Sequence, residues 1–509
     1  MYGRVRAVAV IGVEGHPVTV EAHVGRGLPA LSLTGLPGPA VQEARERVRP
    51  AVESSGLSWP LRRVTVNLSP GGLRKDGPGF DLPVAMSVLA ATSQVPDHRL
   101  GRYALAGELS LRGALLPTPG ILSVSLSAAH AGLAGVVVPE ANAAEAALVE
   151  GLEVIGAPSL ERAVGFLRGT WSPPRPRAPV SEPAASDVDL ADVRGQAEAR
   201  RALEVAAAGG HNVLLVGPPG AGKTMLARRL PTILPVLSRD EALEVTRLHS
   251  VAGLVLAGGG LVSARPFRSP HQSISPAGML GSASLRPGEA SLASHGVLFL
   301  DEIAEFRRDV LEGLRQPLED GRVAVARAAG AVTFPARFTL VAASNPCPCG
   351  YEGDGRRACS CTAVRSAAYH QRLSGPLLDR IDLRLRVPRL SRGELLGAGS
   401  GEASARVRAR VEAARERQLK RLSGTGRTSN AHLTGAMART MAHLTAEGES
   451  VLAQAVDHHH LTGRGFDRIL KVARTIADLA GRDRVGADDI LEALTFRAGL
   501  GATEGLGAA

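Results

Sequence analysis

The chain of 509 residues is 44% hydrophobic and carries a formal net charge of +10, with a pI near 10.1. That length and apolar content suit about two to four globular domains; the charge fits a polyanionic partner such as DNA, and an aromatic content of only 3% argues against base stacking as the main hold on it. No apolar run approaches the roughly 20 residues that span a bilayer, and the opening MYGRVRAVAVIGVEG meets Glu14 and His16 instead of a small-residue cleavage site, so a cytoplasmic chain with no membrane partner is expected.

In chain order, residues 1–169 form a first part, and TWSPPRPRAPVSEPAASDV, residues 170–188, reads as an extended linker because proline, serine and charge alternate with no helical or strand period. Residues 189–388 form a second part. A third, 389–500, begins where strand-like alternation gives way to the arginine-rich helical pattern ARVRARVEAARERQLKRL, and the tail 501–509 is expected to be disordered.

The second part opens with NVLLVGPPGAGKTMLARRL. Asn212 to Val216 is a short apolar strand, a helix follows, and between them Gly217, Pro218, Pro219, Gly220, Ala221, Gly222, Lys223 and Thr224 fit G-x-x-x-x-G-K-[ST] in the context that motif needs. The glycines let backbone N–H groups turn toward phosphates, Lys223 brings a positive charge to the β and γ groups, and the Thr224 hydroxyl is a magnesium ligand. Next, GVLFLDE predicts an apolar strand ending in Asp301, placed to hold the magnesium hydration shell, and Glu302, placed to polarise a water. A third strand, RFTLVAASN, ends at Asn345, which can orient that water; three strand ends then converge on one nucleotide.

Between the phosphate loop and the acidic strand lies the long stretch 230–296 with ARPFRSPHQSISPAGMLG, and before the Asn345 strand GRVAVARAAGAVTFP alternates as two strands of a hairpin around Ala329 and Gly330. Arg265, Arg268 and His271 in the insertion and Arg322 and Arg327 on the hairpin are candidates for phosphate contacts with DNA. All four cysteines fall in NPCPCGYEGDGRRACSC: Cys347-x-Cys349 and Cys359-x-Cys361 could place four thiolates around one structural zinc, with reduced packed thiols or disulfides as the alternatives. His458 to His460 run consecutively and so point different ways on a helix, which reads as a solvated face and not as a metal site.

The segments DLADVRGQAEARRALEVAAAGGHNVLLVGPPGAGKT, RPFRSPHQSIS, GEASLASHGVLFLDEIAEF, EDGRVAVARAAGAVTFPARFTLVAASNPCPCG and RLSGPLLDRIDL together resemble the magnesium-chelatase-like AAA+ ATPases of the YifB/ComM type, over nearly the whole chain. The resemblance implies an α/β P-loop NTPase core with a parallel sheet flanked by helices, a C-terminal helical lid, and a hexameric ring that uses ATP and Mg2+. It also implies action on DNA as a helicase or branch-migration factor in recombination of incoming strands, with recombination proteins as possible partners. It makes Lys223 and Thr224 the Walker A pair, Asp301 and Glu302 the Walker B pair, Asn345 sensor 1, Arg380 an arginine finger toward the neighbouring subunit, and Arg464, opening the helix that carries Phe466, Ile469, Leu470, Ala473, Ile476 and Ala477, a sensor 2 reaching from the lid to the nucleotide. A chelatase-type motor that remodels a protein partner is the alternative.

The first part, through VTVNLSPGGLRKDGPGFDLP (64–83) and GELSLRGALLPTPGILSVSLSAAHAGLAGVVVP (107–139), resembles the Lon protease catalytic domain, a ribosomal-S5-domain-2-like α/β fold with a Ser-Lys dyad. Here the serine position is Gly79, and Leu116 to His130 contains no lysine. Glycine has no nucleophile, so the domain is expected to be catalytically inert and to serve interaction or ring stabilisation.

Overall fold

The computed structural model describes residues 1–174, 176, 187–255, 259–282, 284–327, 330–373, 375–396, 401–459 and 461–498. Most of the linker, the tail 501–509 and His460 lie outside these residues.

The first part is built on a seven-stranded mixed sheet, in the spatial order Ala30–Thr34, Arg63–Ser69, Glu14–Gly25, Tyr2–Ile11, Tyr103–Leu105, Gly135–Pro139 and Glu153–Ala157. The helix Asp81–Ala91 is buried at every position, as its run DLPVAMSVLAA requires, since a helix apolar on all sides has no face to give to water. The last helix, Leu160–Arg168, stops at Gly169, whose left-handed φ of 77° is the conformation a helix C-terminus favours and glycine adopts without strain. Lys75, the sole lysine before residue 170, is buried with its ammonium donating to the carbonyls of Gly35 and Leu68, each at 2.9 Å, and to that of Pro70. It is a structural strut that ties three backbone carbonyls together.

The second part holds five parallel strands: β1 (Val213–Val216), β2 (Phe267–Arg268), β3 (Val297–Leu300), β4 (Thr339–Ser344) and β5 (Leu383–Arg386). They lie in the order β2-β3-β4-β1-β5. The near-continuous apolar runs VLLV, VLFL and TLVAAS are what strands covered on both faces need. Helix α1 (Lys223–Ile233) follows β1 directly, and α2 (Arg239–Val251) lies in the insertion. The expected hairpin is present as a separate two-stranded ribbon, Arg322–Arg327 against Gly330–Pro335, and α3 (Ala363–His370) precedes β5.

The two parts touch through α2. Val13, at the turn between the first two strands, enters the apolar cluster that includes Leu248, Phe334 and Met279. Ser250 of α2 accepts the Gly120 N–H at 3.0 Å and donates to buried Glu145, whose other oxygen receives Asn142 at 3.2 Å. Burial pushes the Glu145 carboxyl up, opposed by those hydrogen bonds. Arg247 adds an ion pair to Glu14 at 2.8 Å. The first part therefore sits against the insertion and the base of the hairpin.

In the third part, α4 (Ser404–Arg421) and α5 (Gly463–Leu479) pack on the helix Ala197–Gly209. The arginine-rich α4 is an internal strut: Arg408 donates to the Thr232 carbonyl at 3.0 Å, Arg410 pairs with Glu204 at 2.5 Å, and Arg421 grips Asp478 at 2.8 and 2.6 Å. Asp382, at the start of β5, ties this lid to the core. It faces His211 at 3.2 Å and Arg468 of α5 at 3.4 Å, and His211 reaches Thr475 at 2.8 Å. Burial raises the Asp382 carboxyl, but the His211 hydrogen bond and charge, then Arg468, outweigh it and hold it down at about 2. Because the unfolded value is about 3.9, the stabilisation it supplies is full above about pH 4 and is lost as pH falls toward 2. Asp382→Asn should cost about 3–5 kcal/mol and flatten that acid limb. Denaturant melts between pH 2 and 6 check both, and an unchanged acid limb would refute the assignment.

Candidate active site

The loop between β1 and α1 carries Gly220 and Gly222 at φ 79° and 90°, left-handed positions that turn N–H groups inward where a side chain would strain the backbone. Lys223 is only 9% exposed. Its ammonium donates to the Gly217 carbonyl at 2.6 Å, the Pro218 carbonyl at 3.1 Å and Asn345 Oδ1 at 3.1 Å. Burial lowers its pKa, opposed by the charges of Asp301 and Glu302. Thr224 Oγ1 donates to Asp301 Oδ2 at 2.9 Å. Asp301 Oδ1 accepts the Glu302 N–H at 3.0 Å, and Glu302 itself has φ 50° and an exposed side chain. A non-glycine residue at that φ is held in a costly conformation, which occurs where the surrounding structure fixes a side chain for function.

Lys223, Thr224, Asp301, Glu302 and Asn345 thus meet at the carboxyl ends of β1, β3 and β4, as the sequence pattern predicts. A hydroxyl and a carboxylate oxygen facing each other are hard oxygen donors that suit magnesium, and the lysine with inward N–H groups suits a polyphosphate.

Arg380 and Arg464 lie elsewhere. Arg380 precedes β5, and Asp382 and Leu383 pair with Asn212 ahead of β1, so Arg380 is at the amino end of the sheet, the end away from the phosphate loop. Its guanidinium donates to the Pro376 carbonyl at 2.7 Å, pairs with Glu319, and is 11% exposed. Arg464, 67% exposed, faces Asp379 at 3.4 Å. Arg464, expected to reach from the lid to the nucleotide, does not meet Lys223 within the subunit: it joins Arg380 on the far side, because α5 begins beside the 375–380 turn.

The insertion arginines are corrected too. Arg265 is enclosed, donating to the His295 carbonyl at 2.6 Å and pairing with Glu241 at 3.1 Å. Arg268 grips Glu289 at 2.6 and 2.7 Å. Both charges are paired with carboxylates of the same subunit. His271 is exposed with Nδ1 beside Ser273 Oγ at 2.8 Å, and Arg322 is exposed at the base of the hairpin; the side chain of Arg327 lies outside the described residues.

The four cysteine sulfurs gather within 4.8 Å of one another, directly after Asn345. The Cys349 thiol is drawn down to about 5, chiefly by the backbone N–H groups of Ser360 and Tyr351. His458 is exposed on its helix, in keeping with a solvated face. Among the described residues no helix is long and apolar enough to cross a membrane.

The strand order, the phosphate loop after β1, the acidic pair at the end of β3 and Asn345 at the end of the β4 strand between them define a P-loop ATPase of the AAA+ class. Family models of magnesium chelatase subunit ChlI match residues 189–395 and 20–142, and a model of its C-terminal region matches 401–497. YifB of Escherichia coli is 44% identical over 497 residues, 96% of each chain, and competence protein ComM of Haemophilus influenzae is 42% identical over 498, again 96% of each. Lon protease of Geobacter metallireducens matches at 28% over 196 residues, 36% of this chain and 24% of that one. The chain belongs to the YifB/ComM family of magnesium-chelatase-like AAA+ proteins.

Proposed function

We propose that this chain is one subunit of a cytoplasmic hexameric ring ATPase that moves DNA, acting as a helicase or branch-migration factor while incoming strands recombine. The observation that carries the ATPase part is the division of the site: Lys223, Thr224, Asp301, Glu302 and Asn345 at one end of the sheet, and Arg380 with Arg464 at the other. Lys223 neutralises the β- and γ-phosphates, Asn345 orients the attacking water and Glu302 accepts its proton. Magnesium, bound through Thr224 and Asp301, would screen charge between the two phosphates. Arg380 and Arg464 from the adjacent subunit meet the charge developing on the γ-phosphate. ComM's name, competence protein, supports the DNA part, with the net charge of +10.

The DNA surface in this reading consists of the hairpin, with Arg322 and Arg327, and His271, binding backbone phosphates. Single-stranded, duplex and four-way-junction DNA should each be titrated into the ATPase at two salt concentrations. Stimulation that weakens at high salt is expected, because bound phosphates release counterions. A flat response to all three would instead indicate a protein client of a chelatase-type motor.

A further inference from the structure

Between β4 and α3 the chain makes one tight loop, residues 345–361, that contains every cysteine. Its sulfurs stand 3.4 Å apart for Cys347 and Cys349, 3.5 Å for Cys349 and Cys359, and 3.6 Å for Cys347 and Cys359. Zinc–thiolate bonds of about 2.3 Å set tetrahedral sulfurs about 3.8 Å apart, whereas a disulfide needs about 2.05 Å. Three sulfurs stand close to the zinc spacing and far from a disulfide's, and the fourth, that of Cys361, lies within 4.8 Å of them, a set that one zinc ion can draw together. Backbone N–H groups support the sulfurs from outside: Cys349 N–H points at Cys361 Sγ at 3.3 Å, and Cys361 N–H at Cys359 Sγ at 3.4 Å.

The same loop is wedged between the phosphate loop and the end of β5. Gly350 is buried with φ 84°, and a Cβ there would stand 2.7 Å from Pro219 Cδ and 3.9 Å from Asn345 Cγ. On the other side Asp354 pairs with Arg389 at 3.1 Å, and Arg356 donates to the Leu390 carbonyl at 3.3 Å. Pro219 is itself exposed apart from this contact, so the phosphate loop has Gly350 as its outer wall.

We propose that one zinc ion, held by Cys347, Cys349, Cys359 and Cys361, locks this loop into a brace that positions Pro219 and Asn345, so that metal occupancy sets the affinity of the site for nucleotide. Without the ion the four sulfurs lose the bonds that hold them to one centre, and Gly350 loses the support that keeps it against the phosphate loop. The affinity half rests on the ATP-binding reading above; the metal half does not.

The test uses the full chain purified with zinc, metal content measured per chain, and titration with a fluorescent ATP analogue. One zinc per chain is expected. A Cys359→Ser, Cys361→Ser double variant should lose the ion and bind the analogue about tenfold or more weakly, with its far-UV circular dichroism retained. Gly350→Ala should keep the zinc and show the same weakening, in KM more than in kcat, because its Cβ pushes Pro219 outward; a purely structural clip would leave it unmoved. Wild-type protein that takes up no zinc on reconstitution overturns the metal site. Wild-type affinity in both variants overturns the brace. A zinc-loaded wild type that binds no analogue refutes the ATPase reading and the brace with it, leaving the metal stoichiometry standing.

Discussion

Glu302→Gln should lower ATP turnover about a hundredfold or more while nucleotide affinity stays within about twofold. The substitution keeps the side chain's shape and removes only its ability to take a proton. Nothing that grips the triphosphate depends on the Glu302 carboxylate: the Lys223 ammonium is held by Gly217, Pro218 and Asn345, and Thr224 by Asp301. The Glu302 backbone N–H, not its side chain, is what Asp301 fixes, so the strained φ of 50° survives the change. Phosphate release and analogue binding, measured on one preparation, separate the two effects. Turnover within about threefold of wild type would remove Glu302 from the role of base and leave the exposed carboxylate as a solvated strand end.

What was legible in the sequence was contiguous. The phosphate loop, the acidic strand end and Asn345 each lie in an unbroken strand-plus-turn segment, so local patterning sufficed to put them at one edge of the sheet, and the hairpin followed from alternation alone. The missed features are pairings across long separations. Arg265 and Arg268 read as free charge because their partners, Glu241 and Glu289, sit 24 and 21 residues away. The sequence does not show which end of the sheet Arg464 faces, because the position of its helix relative to the 375–380 turn, 85 residues back, is set by packing and has no local signature. The docking of the first part through Glu145 and Ser250 was equally hidden, since a glutamate and a serine 105 residues apart carry no pattern until the fold joins them. The arginine pattern of α4 showed a helix but not its partners: Arg408, Arg415 and Arg421 are used on carbonyls and a carboxylate of neighbouring helices.

Arg380→Ala should reduce turnover by about 10³ or more with little loss of nucleotide binding, and the loss should be repaired by mixing. Arg380 and its subunit's own Lys223 stand at opposite ends of parallel strands, so the proposed finger role requires a site on another copy. A ring assembled from Arg380→Ala and Glu302→Gln subunits contains some boundaries where an intact Glu302 faces an intact Arg380, and those boundaries should turn over ATP although neither parent does. Glu319 sharpens the expectation. In the single chain it holds the Arg380 guanidinium, and that pairing pulls the Glu319 carboxyl below its ordinary value. Assembly must exchange this carboxylate for a phosphate, so Glu319→Gln should leave the arginine freer to cross the boundary and should not mimic Arg380→Ala. Mixed rings as inactive as their parents, or an isolated subunit that hydrolyses ATP at full rate without Arg380, would mean that each copy completes its own site and that the far-side arginines serve only to hold the lid.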